Sequence, residues 1–252
     1  MDDLTSDPNA VPLFKLAARA HFDVKIALSG EGGDEIFAGY GRYRPQSWLK
    51  RLLRRPYQGR GAAAPFGSLF RESDRFSRFY KHEKPETAYA QDGFTRLQKR
   101  QARDIAEWLP ANLLLKLDRC LMAHSVEGRV PLLDREMIAF AFSLPDNLKI
   151  RKRHGKWLLK EWLNQRHPEL RAFEPKRGFT VPLHEWMERK REKLRPILQD
   201  HPALEPHIRP GAIKEWLNQP LSEKGARLLF NMVCFALWYD IHIDGKTGKW
   251  EI

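Results

Sequence analysis

Apolar residues recur along most of the chain at spacings of three and four, which is the pattern of amphipathic helices. This spacing predicts helices over residues 8–20, 46–54, 68–81, 84–90, 95–108, 112–125, 134–143, 157–165, 182–198, 212–219 and 223–241. One segment breaks the pattern: residues 24–28 form a short apolar run that contains β-branched residues and ends at glycine. Such a run predicts a buried strand.

A single buried strand needs neighbours, because a strand covered on both faces is stable only within a sheet. Either short segments such as residues 148–150 pair with it, or the sheet includes strands that precede Met1, and we favour the second interpretation. The pattern itself shows no domain boundary. The expected fold is therefore mostly helical, with one or a few parallel strands.

The strand leads directly into a turn that is rich in glycine and acidic residues, with the sequence SGEGGDEIFAGY at residues 29–40. Ser29 and Gly30 end the strand, and the acids that follow suit the positive end of a helix dipole. Ligands of α/β proteins bind beyond the carboxyl ends of strands, which is where Glu31 and Asp34 stand. A phosphate bound beside these acids would need a divalent cation. The alternative is a turn whose solvated acids cap a helix.

The second region with candidate chemistry is residues 113–134, where an apolar helix carries Asp118 and Arg119 and leads into an extended segment. Glu127 and Arg129 lie in that extended segment, within an apolar frame. Charges in such a frame are costly unless they are paired, so we expect a partner or a ligand. The alternative is a structural ion pair between the two, or with Asp118.

The third region is residues 173–186, in which two prolines and a glycine prevent a continuous helix. The segment is expected to form a shaped loop that holds Lys176 and Arg177 between aromatic residues. A loop lysine in this position can neutralise charge that develops on a phosphate in a transition state. An ordinary surface lysine is the alternative.

Composition limits the class of protein. The 252 residues are 42% hydrophobic, and no run of eighteen apolar residues occurs. The first residues are acidic, unlike a signal peptide, and Cys120 and Cys234 lack the spacing of a zinc site or a disulfide framework. We therefore expect a soluble, cytoplasmic protein.

The net charge of +12 is unusual, and basic residues concentrate in residues 42–60, 149–156 and 188–195. Basic patches of this kind can bind nucleic acid, a membrane surface or a polyphosphate. A basic nucleic-acid-binding module is therefore the alternative functional class. That alternative predicts an affinity that falls steeply with salt, and it leaves the acidic motifs unexplained.

Taken together, three segments resemble the synthetase domain of glutamine-dependent asparagine synthetases. They are SGEGGDEIFAGY at 29–40, KLDRCLMAHSVEGRVPLLD at 116–134 and KRGFTVPLHEW at 176–186. The resemblance implies an α/β fold of the adenine nucleotide alpha hydrolase type. It implies that residues 1–252 are the C-terminal part of one such domain, mostly helical because the N-terminal part is missing.

The resemblance also implies a reaction, in which MgATP adenylates the carboxylate of aspartate, pyrophosphate leaves, and ammonia attacks to give asparagine. By resemblance, the nucleotide and its metal would be bound by Ser29, Gly30, Gly32, Asp34, Lys176 and Arg177. Glu31 would orient or deprotonate the amine, Lys176 would stabilise charge on the α-phosphate, and Asp34 would help to hold Mg²⁺. Glu127 and Arg129 would shape the same cleft, with Asp118 and Arg119 in support.

Two departures from the family pattern bear on activity. The pyrophosphate-binding loop Ser-Gly-Gly-x-Asp-Ser is absent, and the glutaminase domain, with its cysteine next to the initiator Met, is absent too. A smaller departure is Gly128, where relatives often have a larger residue. We expect a fragment that is inactive alone and whose partner is an N-terminal segment or chain that carries both missing parts. A related ligase with a different acceptor remains an alternative.

Overall fold

The computed structural model describes residues 4–44, 64–71, 89, 91–175 and 181–246. These residues belong to two compact units. We call them the motif unit, Asn9–Arg54 and Lys84–Phe179, and the helical unit, Met1–Pro8, Arg55–Glu83 and Thr180–Ile252. The predicted helices over 46–54 and 84–90 lie outside the described residues, apart from Tyr89.

Helices make up most of the motif unit. They are α1 (Ala10–Ala20), α2 (Gly33–Ile36), α3 (Arg96–Arg103), α4 (Leu115–Met122), α5 (Arg135–Ser143), α6 (Asp146–Lys149) and α7 (Trp157–Arg166). Their ends follow the residues that the sequence offers as caps. Thr95 and Gln98 form a reciprocal capping box at the start of α3, and the Asp134 carboxylate accepts from the backbone N–H of Glu136 at the start of α5.

Two predicted helices, 95–108 and 112–125, form one helical run, because the π-helical segment Asp104–Leu114 joins α3 to α4. Pro110 lies inside this segment. Proline has no backbone N–H and breaks the regular α-helical hydrogen-bond ladder. A wider π turn lets the chain pass such a residue without ending the helix.

The sheet of the motif unit has two parallel strands, β1 (Ile26–Leu28) and β2 (Glu127–Arg129). Ala27 and Gly128 are paired and face the helices, since Ala27 packs in a core with residues of α1 and α4. A Cβ on Gly128 would lie 2.7 Å from the Leu121 side chain, so glycine at this position allows α4 to approach the sheet.

The prediction that residues 24–28 are buried is wrong. Ile26 and Leu28 are 53% and 77% exposed, because they lie on the face of the sheet opposite to Ala27. No described element of the motif unit covers that face. The prediction of a possible strand at residues 148–150 is also wrong, because Asp146–Lys149 form helix α6, which follows Pro145.

The helical unit is built from α8 (Leu183–Gln199), α9 (Ala212–Leu217) and α10 (Glu223–His242). Its core includes the fully buried side chains of Leu198, Leu217 and Leu229. The helix predicted over 68–81 falls mostly outside the described residues. Its first two residues instead end the 3₁₀ helix Ala64–Leu69. No helix in the described part of the chain is long and apolar enough to cross a bilayer.

Candidate functional site

The glycine turn of residues 29–33 is fixed to the carboxyl end of the sheet. The backbone N–H of Ser29 donates to the carbonyl of Arg129 at 2.8 Å, which extends the pairing of β1 with β2. The Ser29 hydroxyl in turn accepts from the backbone N–H of Glu31 at 3.3 Å. Gly32 has a φ of +87° and lies against the side chain of Leu133, where a Cβ would overlap it. Both the conformation and the space require glycine there.

Helix α2 follows the turn and places Asp34 beside a lysine that is distant in sequence. Lys156 Nζ lies 3.1 Å from Asp34 Oδ1, and the two side chains are 28% and 22% exposed. Lys156 precedes α7 with a left-handed φ of +55°, and its backbone N–H donates to the carbonyl of Phe37 at 3.0 Å. The acidic turn therefore has a cationic partner held by backbone geometry.

Sequence reasoning missed Lys156 as a site residue. The available signal is the basic run 149–156, whose charge is of the kind that can bind a polyphosphate. Nothing local distinguishes Lys156 from the other cations of the run. Lys156 reaches Asp34 because its backbone is left-handed and because residues 155 and 156 pack against Phe37 and Ala38.

Two glycines make the pairing of Asp34 with Lys156 possible. A Cβ on Gly39 would lie 2.6 Å from Lys156 Cε and closer still to Asp34 Oδ1. A Cβ on Gly155 would lie 3.0 Å from the Cα of Gly39 and closer still to the carbonyl oxygen of Ala38. These contacts leave no room for side chains where the segment before α7 crosses the end of the acidic motif.

A buried polar network lies behind α2. Gln101 is fully buried, and its Nε2 donates to the carbonyls of Glu35 at 2.6 Å and of Ile36 at 2.8 Å. Lys149, also fully buried, donates to Gln101 Oε1 at 3.0 Å. Burial lowers the pKa of Lys149 to about 8. Each of these bonds satisfies a polar group that would be costly to leave unpaired in the interior.

Glu35 and Tyr40 belong to the acidic motif but point into the interior. Tyr40 donates from its hydroxyl to Glu35 Oε1 at 2.7 Å, and the Glu35 side chain is fully buried. Burial raises the pKa of the Glu35 carboxyl. Within this motif, therefore, Asp34 faces the cation of Lys156 while its neighbour Glu35 supports the fold.

Glu127 and Arg129 pair with each other. Arg129 Nε lies 2.7 Å from Glu127 Oε1, and the side chains are 62% and 51% exposed. Both lie on the uncovered face of the sheet with Ile26 and Leu28, because parallel pairing aligns Ile26 with Glu127 and Leu28 with Arg129. The structural ion pair named as an alternative is the arrangement observed.

Asp118 and Arg119 lie on the exposed side of α4, with Arg119 Nη1 3.5 Å from Asp118 Oδ2. An exposed pair of this length contributes little to stability. Lys176 and Arg177 lie outside the described residues, so their placement near the acidic turn stays a prediction.

The donor set around Asp34 bears on a magnesium ion. Among the described residues there is no group of three or more His, Cys, Asp or Glu side chains that could hold a metal. Mg²⁺ at nucleotide sites commonly takes one or two protein carboxylates and completes its shell with phosphate oxygens and water. Asp34 alone could supply one carboxylate to an ion that a nucleotide brings, and the Lys156 ammonium lies 3.1 Å from that carboxylate.

Comparison with known proteins gives consistent matches. The family model described as asparagine synthase matches residues 1–240. Asparagine synthetase [glutamine-hydrolyzing] 1 of Bacillus subtilis (strain 168) is 29% identical over 291 residues, which cover 100% of this chain and 46% of that protein. A putative asparagine synthetase [glutamine-hydrolyzing] of Mycobacterium tuberculosis (strain ATCC 25618 / H37Rv) is 29% identical, covering 97% of this chain and 43% of its own length. The chain thus spans less than half the length of these relatives.

Proposed function

Because the chain belongs to the asparagine synthase family, we propose that it supplies the C-terminal part of the synthetase domain of an ATP-dependent, amide-forming ligase. The observation that carries this proposal is the glycine turn at the end of β1, with Asp34 and Lys156 paired beside it. A turn of this kind lets a phosphate approach the backbone closely. The paired lysine adds a cation at the same place.

The proposed reaction has two steps. A carboxylate oxygen of aspartate attacks the α-phosphorus of ATP, and the bond to pyrophosphate breaks. Ammonia then attacks the acyl carbon, loses a proton, and AMP leaves with the oxygen of the former carboxylate. Glu31 is proposed to orient the amine or accept its proton, and Lys176 to offset charge on the α-phosphate and the leaving pyrophosphate.

The residues near the turn have separate proposed roles. Ser29, Gly30 and Gly32 would present their backbone to the nucleotide, with Arg177 near the phosphates. Mg²⁺ bound with the nucleotide would offset the charge of the phosphate oxygens. Asp34 is proposed as its one carboxylate ligand from this region, with Lys156 holding that carboxylate in position. Four further residues are proposed only to surround the nucleotide cleft beside the glycine turn: Glu127, Arg129, Asp118 and Arg119.

The proposal is tested by ATP–pyrophosphate exchange with aspartate. The isolated chain is expected to show no exchange, because the Ser-Gly-Gly-x-Asp-Ser loop that would cradle the triphosphate is absent from its sequence. Exchange is expected to appear when an upstream polypeptide that bears this loop is added. Robust ATP–pyrophosphate exchange by the isolated chain would contradict the proposal that it needs an upstream polypeptide for activity. Failure of the combined preparation with every amino-acid acceptor tested would contradict the ligase proposal.

The uncovered face of the sheet supports the proposal of an upstream partner. Ile26 and Leu28, 53% and 77% exposed, belong to a parallel strand, and parallel sheets are normally covered on both faces. Relatives are more than twice as long as the matched region, which covers 46% of one of them. We propose that the upstream part of the synthetase domain, with or without the attached glutaminase domain, packs on this face.

Replacing Leu28 with aspartate tests this surface. The stability of the isolated chain is expected to change by less than about 0.5 kcal/mol, since Leu28 is exposed there. Binding of the upstream polypeptide is expected to weaken about tenfold or more. The complex of the variant would bury a charged carboxylate in place of an apolar leucine side chain. Titration calorimetry measures the affinity of the upstream polypeptide for the parent chain and for the variant. Leu170→Asp, at another exposed leucine of the same unit, is the matched control and should leave binding unchanged.

A further inference from the structure

The proposed acidic site is supported from behind by two residues that lie outside all three sequence motifs, Gln101 on α3 and Lys149 at the end of α6. Both side chains are fully buried. Gln101 donates to two backbone carbonyls of α2, and Lys149 donates to the Gln101 side chain. Their contribution must therefore come through the backbone of the turn.

Helix α2 needs such support because it is a single turn of four residues, Gly33–Ile36, after a glycine. A helix this short has little stability of its own. The carbonyls of its last residues have no partner further along the helix, since the last carbonyls of any helix are left without intrahelical donors. One Gln101 amide group donates to two of them, those of Glu35 and Ile36.

The second residue fixes the orientation of that amide. An amide side chain can rotate so that its oxygen and nitrogen exchange places. Lys149 Nζ lies 3.0 Å from Gln101 Oε1 and can only donate, so the rotated amide would place a donor against a donor. Lys149 therefore holds the Gln101 nitrogen towards α2.

We propose that Gln101 and Lys149 are positioning residues for the ligase reaction, forming a clamp that holds α2 and with it the carboxylate of Asp34 in register with Lys156. This inference rests on the proposed function for its catalytic consequence. Its structural part, the control of the α2 backbone, is independent of any activity. The two parts are measured separately.

The first measurement is amide hydrogen exchange of the isolated chain. Four backbone bonds report on α2: Glu35 and Ile36 both donate to the carbonyl of Gly32, Phe37 donates to that of Gly33, and Gly39 donates to that of Asp34. In Gln101→Leu these amides are expected to exchange about tenfold faster than in the parent chain, because the clamp bonds are lost. Amides of α10 should keep their relative protection.

Gln98→Leu is the matched control. Gln98 lies one turn earlier on α3. Its Nε2 also donates to a backbone carbonyl, that of Phe142, and its Oε1 accepts from the backbone N–H of Thr95 in the capping box. Loss of both bonds is expected to lower overall stability without a selective effect on α2. Equal acceleration of the α2 amides in both variants would overturn the proposal.

A double variant separates positioning from stability. Gln101→Leu leaves the Lys149 ammonium buried without the acceptor at Gln101, which destabilises the whole unit. Adding Lys149→Met removes that charge, so the double variant should recover most of the lost stability in urea unfolding. The α2 amides should still exchange fast, since the donors to the Glu35 and Ile36 carbonyls remain absent. Recovery of slow exchange in the double variant would contradict the clamp.

The catalytic part is measured in the combined preparation that shows ATP–pyrophosphate exchange. The double variant is expected to lower kcat about tenfold while KM for ATP stays within about twofold, because small misplacement of a reacting group lowers the rate more than binding. Unchanged kcat together with fast hydrogen exchange of the α2 amides would show that the clamp holds α2 but that its loss does not affect catalysis. That result would overturn the positioning role. Absence of ATP–pyrophosphate exchange in the parent preparation would instead contradict the proposed function. The amide hydrogen-exchange result would still decide whether Gln101 and Lys149 hold α2.

Discussion

Replacing Lys156 with methionine is expected to lower the rate of amide formation about 100-fold, the lower end of what the loss of one preorganised donor to developing negative charge costs. Lys156 Nζ lies 3.1 Å from Asp34 Oδ1 in a partly buried position. Methionine keeps most of the volume of the side chain but provides no charge. The loss would therefore report on electrostatics rather than on packing. The rate is measured in whichever preparation exchanges ATP and pyrophosphate.

Lys160→Met is the matched control for this variant. Lys160 lies one turn later on α7, where its Nζ is 5.8 Å from the centre of the Phe173 ring. The same substitution there is expected to change the rate less than twofold. A Lys156→Met rate within twofold of the parent rate would contradict a role for this lysine at the site.

Misfolding is a separate explanation that a double variant addresses. In Lys156→Met, the Asp34 carboxylate loses its cationic partner, and stability should fall. In Asp34→Asn/Lys156→Met both charges are gone, so stability should return towards the parent value while activity stays low. If the double variant regains activity together with stability, the pair supports the fold and not the reaction.

The acidic site shows which features can be predicted from sequence. The predicted order of strand, glycine turn and helix at residues 24–36 is confirmed, because glycine positions, acidic residues and an apolar run are local signals. The cap at Asp134 is predictable for the same reason. Lys156 is not, since its contact with Asp34 joins segments more than a hundred residues apart and depends on a left-handed backbone at a lysine.

The extended conformation of residues 127–129 is predicted, but their pairing with β1 is not, and this is a second limit of sequence reasoning. Glu127, Gly128 and Arg129 lack the β-branched and aromatic residues that favour strands. They form a strand because β1 pairs with them and because Gly128 admits the Leu121 side chain. The two compact units are also invisible in the pattern. The motif unit is interrupted by residues 55–83 of the helical unit, so no single boundary divides the chain.

These limits share one physical cause. Local patterns report on the residues that form an element, whereas the site is made where elements from distant parts of the chain meet. Around Asp34 that meeting involves the turn after β1, the segment before α7, and the buried side chains of Gln101 and Lys149. Each partner has an ordinary sequence signal, a glycine, a basic run or a polar helix position. Their proximity gives them a common role.

Replacing Gly155 with alanine is expected to destabilise the motif unit by about 3 kcal/mol, at the upper end of the usual cost of overpacking. The added Cβ would lie 3.0 Å from the Cα of Gly39, 3.1 Å from the carbonyl carbon of Ala38, and closer still to its oxygen. All three are backbone atoms, so no side chain can rotate away. Relief requires the segment before α7 to move away from Ala38, which weakens the bond from the Lys156 N–H to the Phe37 carbonyl.

Urea unfolding of Gly155→Ala and of a matched control, Gly41→Ala, measures this cost. A Cβ on Gly41 would meet no heavy atom within 4 Å, and the φ of Gly41 is not positive, so alanine there should change stability by less than about 0.5 kcal/mol. Gly155→Ala should also lower ligase activity at temperatures where it remains folded, because the moved segment carries Lys156. Equal stability of the two variants would mean that the segment is not packed against Ala38, and the pairing of Lys156 with Asp34 would lose its structural basis.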